Sequence, residues 1–316
     1  MKIVITGGAG FIGSHTAKRL LEEGHEVVIV DNFNDYYDPT LKEARIEKFL
    51  SGLKFKVYRT DITDLEGMRK VFQETRPDVV VHQAAQAGVR YSLENPFAYE
   101  NSNVKGTLVI LELCKEFGVK KLVFASSSSV YGKRDTVPFS EDDRTDTPGS
   151  VYAATKKATE ALAYSYHSLY GISMAGLRYF TVFGPYGRPD MALFKFTKAI
   201  LQGEPIEVYG EGNMKRDFTY IDDIVDGIVG AIKADYEFEI FNLGHGSPSG
   251  LMEFIEIIEG YLGKKAEKKF LPMQKGDVAM TYADISKARE KLGFEPKVSL
   301  KEGVEKFVDW YKEYYS

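Results

Sequence analysis

Gly7, Gly10 and Gly13 recur at a spacing of three between an apolar run at residues 2–6 and a helical pattern at residues 14–21. The run Lys-Ile-Val-Ile-Thr reads as a short buried parallel strand. Strand, side-chain-free turn and helix in that order constrain the fold more than any other feature of the chain. The turn lets backbone approach a pyrophosphate, and the helix N-terminus aims its partial positive charge at the same place. The spacing is G-x-x-G-x-x-G, one residue longer than the G-x-G-x-x-G form. A second apolar run, residues 26–30, ends at Asp31. A carboxylate there can accept both hydroxyls of an adenosine ribose and repels a 2′-phosphate. Asn32 and Phe33 come next, with no arginine to welcome that phosphate. These residues predict NAD rather than NADP, held by Gly7, Gly10, Phe11, Ile12, Gly13, Asp31 and Asn32.

Strands and helices keep alternating over roughly the first 180 residues. Residues 55–58 lead to Asp61 and Ile62, which suit an adenine edge. Residues 78–82 lead to Ala84 and Ala85, small enough to let a cofactor pass. Residues 121–125 lead to a serine run, Ser126 to Ser129. Side chains at the carboxyl ends of strands lie where open α/β sheets bind ligands. Ser127 is therefore placed to bridge a substrate hydroxyl and a base.

That base is Tyr152. Tyr152 and Lys156 are four residues apart, so on a helix both leave one face. A free phenol, with a pKa near ~10, is a poor base at neutral pH. An ammonium at ~4–5 Å and an effective dielectric of ~20 favours phenolate by about 3–4 kcal/mol, an upper bound of ~2–3 pKa units. The pair predicts removal of a proton from an alcohol as hydride leaves the same carbon.

The chain of 316 residues is 44% hydrophobic, enough for one large core or two modest ones. A formal net charge of −5 argues against nucleic acid or an anionic membrane as partner. The single Cys114 excludes a disulfide framework and suits a reducing cytoplasm. Glycine interrupts the first apolar run at residue 7, so no signal peptide is expected. The five histidines are scattered, which gives a metal site no support. His82 reads as structural.

Gly7 to Gly13, Asp31, Ser127, Tyr152 and Lys156 together resemble the extended short-chain dehydrogenase/reductase superfamily, whose members rework nucleotide-linked sugars. The resemblance spans essentially the whole chain. It implies a Rossmann-type, doubly wound parallel α/β sheet with a smaller mixed α/β substrate domain. Segments 176–185, 215–223 and 275–277 would line a sugar-nucleotide site, with Arg216 clamping the diphosphate and Asp277 meeting the uridine ribose. Asp222 and Asp223 read instead as the start of a helix. Segments 34–39, 84–92, 125–131 and 187–192 are similar to the UDP-glucuronate 4-epimerase branch. Thr181 stands where UDP-galactose 4-epimerases carry asparagine, and Ala87 near where they carry lysine. Both departures fit a carboxylate on the sugar. Ser126, Ser128 and Thr181 offer it hydroxyls and Arg90 and Arg188 offer charge; the sequence leaves open which of them touches it. Arg188 could equally hold the nucleotide or pack at a dimer contact.

Other readings stay open at this point: a UDP-glucuronate decarboxylase, a 4-epimerase of neutral UDP-hexoses, or an NAD-sensing regulatory protein. A 4,6-dehydratase is disfavoured, because Ser128 and Ser129 stand where its acid/base carboxylates belong. The expected NAD-binding domain covers 1–181, with sheet and helix parts from about 216–245 that include 218–221 and 238–242. The sugar-nucleotide domain would use 182–215 and 246–316, ending in a helix opened by Ser299 with Glu302 three residues on. Val104, Leu108, Leu111, Leu162, Tyr166 and Leu169 exceed what one sheet face buries, and the family's pairing of these helices implies a homodimer.

Overall fold

A computed structural model describes residues 1–134 and 136–315. Its strands are β1 (Lys2–Thr6), β2 (Glu26–Asp31), β3 (Lys56–Arg59), β4 (Val79–His82), β5 (Lys121–Ser127), β6 (Ser173–Tyr179), β7 (Thr181–Phe183), β8 (Ile206–Tyr209), β9 (Lys215–Arg216), β10 (Phe218–Tyr220), β11 (Phe238–Leu243), β12 (Ser249–Gly250) and β13 (Lys268–Leu271). Seven of them form one sheet in the order β11-β6-β5-β4-β1-β2-β3. Every neighbouring pair in it is parallel. The winding direction reverses between β1 and β4, which opens a crevice at the carboxyl ends of the strands.

Strict alternation along these strands divides the interior between two faces. Ile3, Ile5, Val27, Ile29, Val81 and Leu177 pack on one side, against the helices Phe11–Glu22 and Ile221–Lys233. Val4, Val28, Val30, Val80, Leu122 and Phe124 pack on the other, against Leu65–Thr75 and Gly106–Phe117. Burial of both faces explains why these strands read as continuous apolar runs. Each wholly buried Val or Ile contributes about 1.5–3 kcal/mol relative to exposure.

The first helix begins at Phe11, three residues ahead of the apolar pattern, because the glycine turn hands directly into it. Residues 238–242 supply the edge strand β11, as their β-branched and aromatic pattern implied. Residues 218–221 do not join the large sheet. β10 pairs with β7 in a separate two-stranded parallel sheet. The Phe218 ring stacks on Phe254 at 4.4 Å, so packing against the helix Leu251–Leu262 draws this segment away. Two further pairs, β12 with β9 and β13 with β8, complete the smaller sheets. Asp222 and Asp223 lie in the first turn of Ile221–Lys233. The Asp223 carboxylate accepts from the backbone N–H groups of Lys297 and Val298 at 2.9 and 3.2 Å. The helix Leu300–Tyr314 is capped by Ser299, whose hydroxyl oxygen accepts from Glu302 N at 3.2 Å.

Of the apolar residues expected in surplus on the two long helices, Leu111 is wholly buried because it faces the sheet. Leu108 and Leu169 remain exposed, as does Phe97 nearby. Among the described residues no helix is long and apolar enough to cross a membrane.

Candidate active site

A cavity of about 440 Å³ runs along the carboxyl ends of the strands and gathers residues from both ends of the chain. At its floor Gly7 has φ +68°, and a Cβ there would lie 2.6 Å from the Ala84 nitrogen. A Cβ on Gly13 would lie 2.1 Å from the Gly7 carbonyl oxygen. The turn therefore folds only without side chains. The helix after it has no side-chain N-cap and no acid in its first turn. Its leading N–H groups, at Phe11, Ile12 and Gly13, border the cavity and suit a diphosphate.

Asp31 ends β2 inside the same cavity. Its carboxylate accepts from Ala9 N at 3.1 Å and Phe33 N at 2.9 Å, leaving lone pairs for ribose hydroxyls. Burial pushes its pKa up, opposed by those two backbone bonds and by the charges of Lys42 and Arg45. Asn32 donates to Asp61 at 2.7 Å, and Thr63 holds the other oxygen of that carboxylate. Ile62 packs against Gly106, while Ala84 and Ala85 line the wall. The small wall residues, the uncapped helix end and the buried acid fit NAD. Lys42 and Gln83 were not anticipated. Lys42 donates to Asn34 O at 2.7 Å and reaches the cavity beside Asp31. Gln83 accepts from the Tyr179 hydroxyl at 3.0 Å, and its buried Nε2 has no protein partner. Lys42 belongs to a separate short helix, Thr40–Ala44, so no local spacing signals its approach.

Tyr152 and Lys156 sit in the first turns of the helix Val151–Tyr170, which Ser150 caps by accepting from Ala153 N at 3.1 Å. Ser127 ends β5 and faces the Tyr152 phenol. The electrostatics differ from the expectation of a depressed phenol. Burial raises the Tyr152 pKa; Ser127 and the Arg188 guanidinium pull it back, and Asp190 raises it further. Lys156 lies instead on the Ala125 carbonyl, with Nζ to oxygen 2.8 Å, so its charge is directed at the strand end. Burial lowers the Lys156 pKa to about 8, against the pull of Glu160.

Ser128 and Thr181 line the cavity beside this group. Arg188 lines it too, forked onto Asp190 through Nε at 2.9 Å, and the Tyr36 hydroxyl donates to the same carboxylate at 3.3 Å. Arg188, Asp190 and Tyr36 thus form one charged group next to the phenol. Ser126 lines the cavity as well. Its hydroxyl donates to Glu160 at 2.6 Å, which occupies its one proton and leaves none for a substrate carboxylate. Arg90 does not line the cavity. Its side chain is half-exposed, turned onto the Tyr209 ring at 4.7 Å and towards Asp277 at 3.4 Å. Asp277 and Arg216 line the cavity. The Arg216 guanidinium donates to the carbonyls of Lys215 and Ala279, neutral acceptors, and burial pulls its pKa down. The Asp277 carboxylate opposes that shift.

Fold and site together define a dinucleotide-dependent enzyme, with Ser127, Tyr152 and Lys156 gathered at one cavity. The model of the NAD dependent epimerase/dehydratase family matches residues 3–244, and the chain belongs to that family. It is 50% identical over 311 residues to a UDP-glucuronate 4-epimerase of Thermodesulfobacterium geofontis, covering 98% of this chain and 96% of the relative. The crystal structure of UDP-glucuronic acid 4-epimerase from Bacillus cereus, in complex with UDP-glucuronic acid and NAD, superposes with a TM-score of 0.93 at 40% identity over all of both chains. A UDP-glucose 4-epimerase of Thermotoga maritima, crystallised with UDP-glucose, gives 0.89 at 34% identity, again over all of both chains.

Proposed function

We propose that this chain interconverts UDP-glucuronate and UDP-galacturonate by NAD-dependent 4-epimerisation. The observation that carries the reading is the juxtaposition of Ser128, Thr181 and Arg188 with Tyr152 in one cavity. Hydroxyls and a guanidinium beside the base suit a sugar that bears a carboxylate. The relatives named UDP-glucuronate 4-epimerase support the same assignment.

Tyr152 takes the O4 proton, with Ser127 bridging the phenol and the sugar hydroxyl. NAD, when bound, would supply the hydride acceptor and donor at C4, and its positive nicotinamide would favour the phenolate. Arg216 holds the diphosphate while the 4-keto sugar turns over about that link. A 4-ketone β to a carboxylate loses carbon dioxide when the carboxylate bond aligns with the carbonyl π system. Hydroxyls from Ser128 and Thr181 hold that bond near the carbonyl plane, where loss is slow. In this reading residues 182–215 and 246–316 bind the sugar nucleotide. The protein works as a cytoplasmic homodimer joined through the helices that expose Leu108 and Leu169, with Cys114 buried and reduced.

Incubation with UDP-glucuronate, followed by NMR of the sugar C4 and C5 protons, tests the assignment. Equilibration with UDP-galacturonate is expected. UDP-pentose as the main product would make it a decarboxylase, and unchanged substrate would remove the reading.

A further inference from the structure

Three consecutive residues at the end of β5 each meet a side chain of the helix Val151–Tyr170. The Ala125 carbonyl accepts from Lys156 at 2.8 Å, the Ser126 hydroxyl donates to Glu160 Oε1 at 2.6 Å, and Ser127 faces the Tyr152 phenol. Glu160 lies one helical turn beyond Lys156, on the same face. Arg178 from β6 grips its carboxylate with Nε at 2.9 Å and Nη2 at 3.0 Å. Both side chains are almost wholly buried, at 4% and 3% exposure. Arg178 also donates to the Tyr131 hydroxyl at 3.0 Å, and that hydroxyl donates to Asn242 at 2.7 Å. Stability alone does not call for such a pair, since apolar residues of similar volume usually serve as well or better.

We propose that Glu160, pinned by Arg178 and Ser126, is a positioning residue that sets the aim and the ionisation of Lys156 for proton transfer at Tyr152. The aim comes from the pairing. Glu160 and Lys156 hold two adjacent strand residues, which fixes the helix in register and sets Tyr152 against Ser127. The ionisation comes from the surrounding charges. His82 on β4 is neutral, its pKa lowered by burial to about 3. Tyr152 and Lys157 share the helix with Lys156, and Arg178 approaches from β6. Among these groups Glu160 is the anion, and its field keeps a proton on a buried amine that burial would strip. A lysine without that proton no longer polarises the phenol through its charge.

The proposal rests on the assignment of Tyr152 and Lys156 to proton transfer, and wild-type turnover tests that assignment separately. Glu160→Gln preserves shape and the bond from Ser126 but removes the charge. Its alkaline limb in the kcat profile is expected to move down by about one to two pH units. The ¹³Cε signal of Lys156 in lysine-labelled protein, assigned with Lys156→Arg, is expected to titrate lower by the same amount. Glu160→Asp keeps the charge and should return both midpoints towards wild type. If the single variant folds poorly, Glu160→Gln with Arg178→Gln leaves no lone buried charge; because the opposing guanidinium goes too, a smaller shift in the same direction is expected. A Lys156 titration and an alkaline limb unmoved in either folded variant would overturn the proposal. In that case Glu160 serves only the packing of helix on sheet.

Discussion

The Lys156 ammonium donates to the carbonyl of Ala125 at 2.8 Å, two residues before Ser127 on the same strand. The lysine is therefore fixed by the sheet rather than by the phenol it assists. Tyr152, for its part, has its pKa raised by burial and relieved by Ser127 and Arg188. Phenol and ammonium are thus two separately anchored groups on one helix.

Tyr152→Phe removes only the ionisable oxygen. Hydride transfer should fall by at least ~100-fold, since general base catalysis typically contributes 10²–10⁴. Bound dinucleotide should stay at the wild-type level, read by absorbance after denaturation. Comparable turnover in the variant would remove Tyr152 from its role.

Asp31 should make the nucleotide released on denaturation NAD and not NADP, identified by chromatography. Asp31→Asn removes the repulsion of a 2′-phosphate and leaves Lys42 beside it. The variant should gain affinity for NADP and lose it for NAD. A variant that still excludes NADP would show that sterics, not charge, select the cofactor.

Thr181→Val keeps shape and deletes a hydroxyl. One hydrogen bond to a charged group is worth about 1.5–3 kcal/mol, roughly 10- to 150-fold in kcat/KM. The loss should fall on UDP-glucuronate far more than on UDP-glucose, with more UDP-pentose formed per epimer. Equal losses on both sugars and a flat pentose yield would reduce Thr181 to packing.

His15 and His82 are buried and neutral, each with its pKa lowered by burial to about 3. His82 is held by Thr6 at 2.7 Å and Thr107 at 3.1 Å. Unfolded histidines take up protons near pH ~6.5, so their contribution to stability is complete above that pH and declines as pH falls towards the folded value. By pH ~5 each should have lost about 2 kcal/mol, a range in which unfolded carboxylates are still largely charged. Denaturant titrations from neutral pH down to that point should give a slope approaching two protons, reduced to one in His82→Gln. A flat profile over that range would contradict the burial of both rings.

Leu169 is 69% exposed and Phe97 80% exposed, on helices that carry the catalytic pair and flank it. Light scattering at micromolar concentration should report a dimer for the wild type. Leu169→Glu should shift it to monomer with turnover reduced less than tenfold. A monomeric wild type would assign these side chains to ordinary surface.

The features legible along the chain were those that short-range geometry dictates. Gly7 and Gly13 announce a turn because no Cβ fits there. Asp31 closes a strand whose apolar run is visible residue by residue. Tyr152 and Lys156 share a face through the helical repeat. The alternation of such runs with helical patterns implied the parallel sheet. Asp31, with Asn32 and Phe33 beside it in place of an arginine, implied NAD.

Tertiary structure alone decided the contacts between distant segments. Ser126 donates to Glu160, which Arg178 holds in turn, because β6 brings a guanidinium under the helix Val151–Tyr170. Residues 218–220 pair with β7, with Phe218 stacked on Phe254, while β11 takes the sheet edge beside β6. Tyr36 and Asp190 meet across 154 residues of chain, beside the phenol, and Lys42 arrives next to Asp31 from a helix of its own. Local sterics and helical periodicity are written in neighbouring residues. The charges that set a buried pKa come from whichever segments packing brings together, and no spacing in the sequence encodes that meeting.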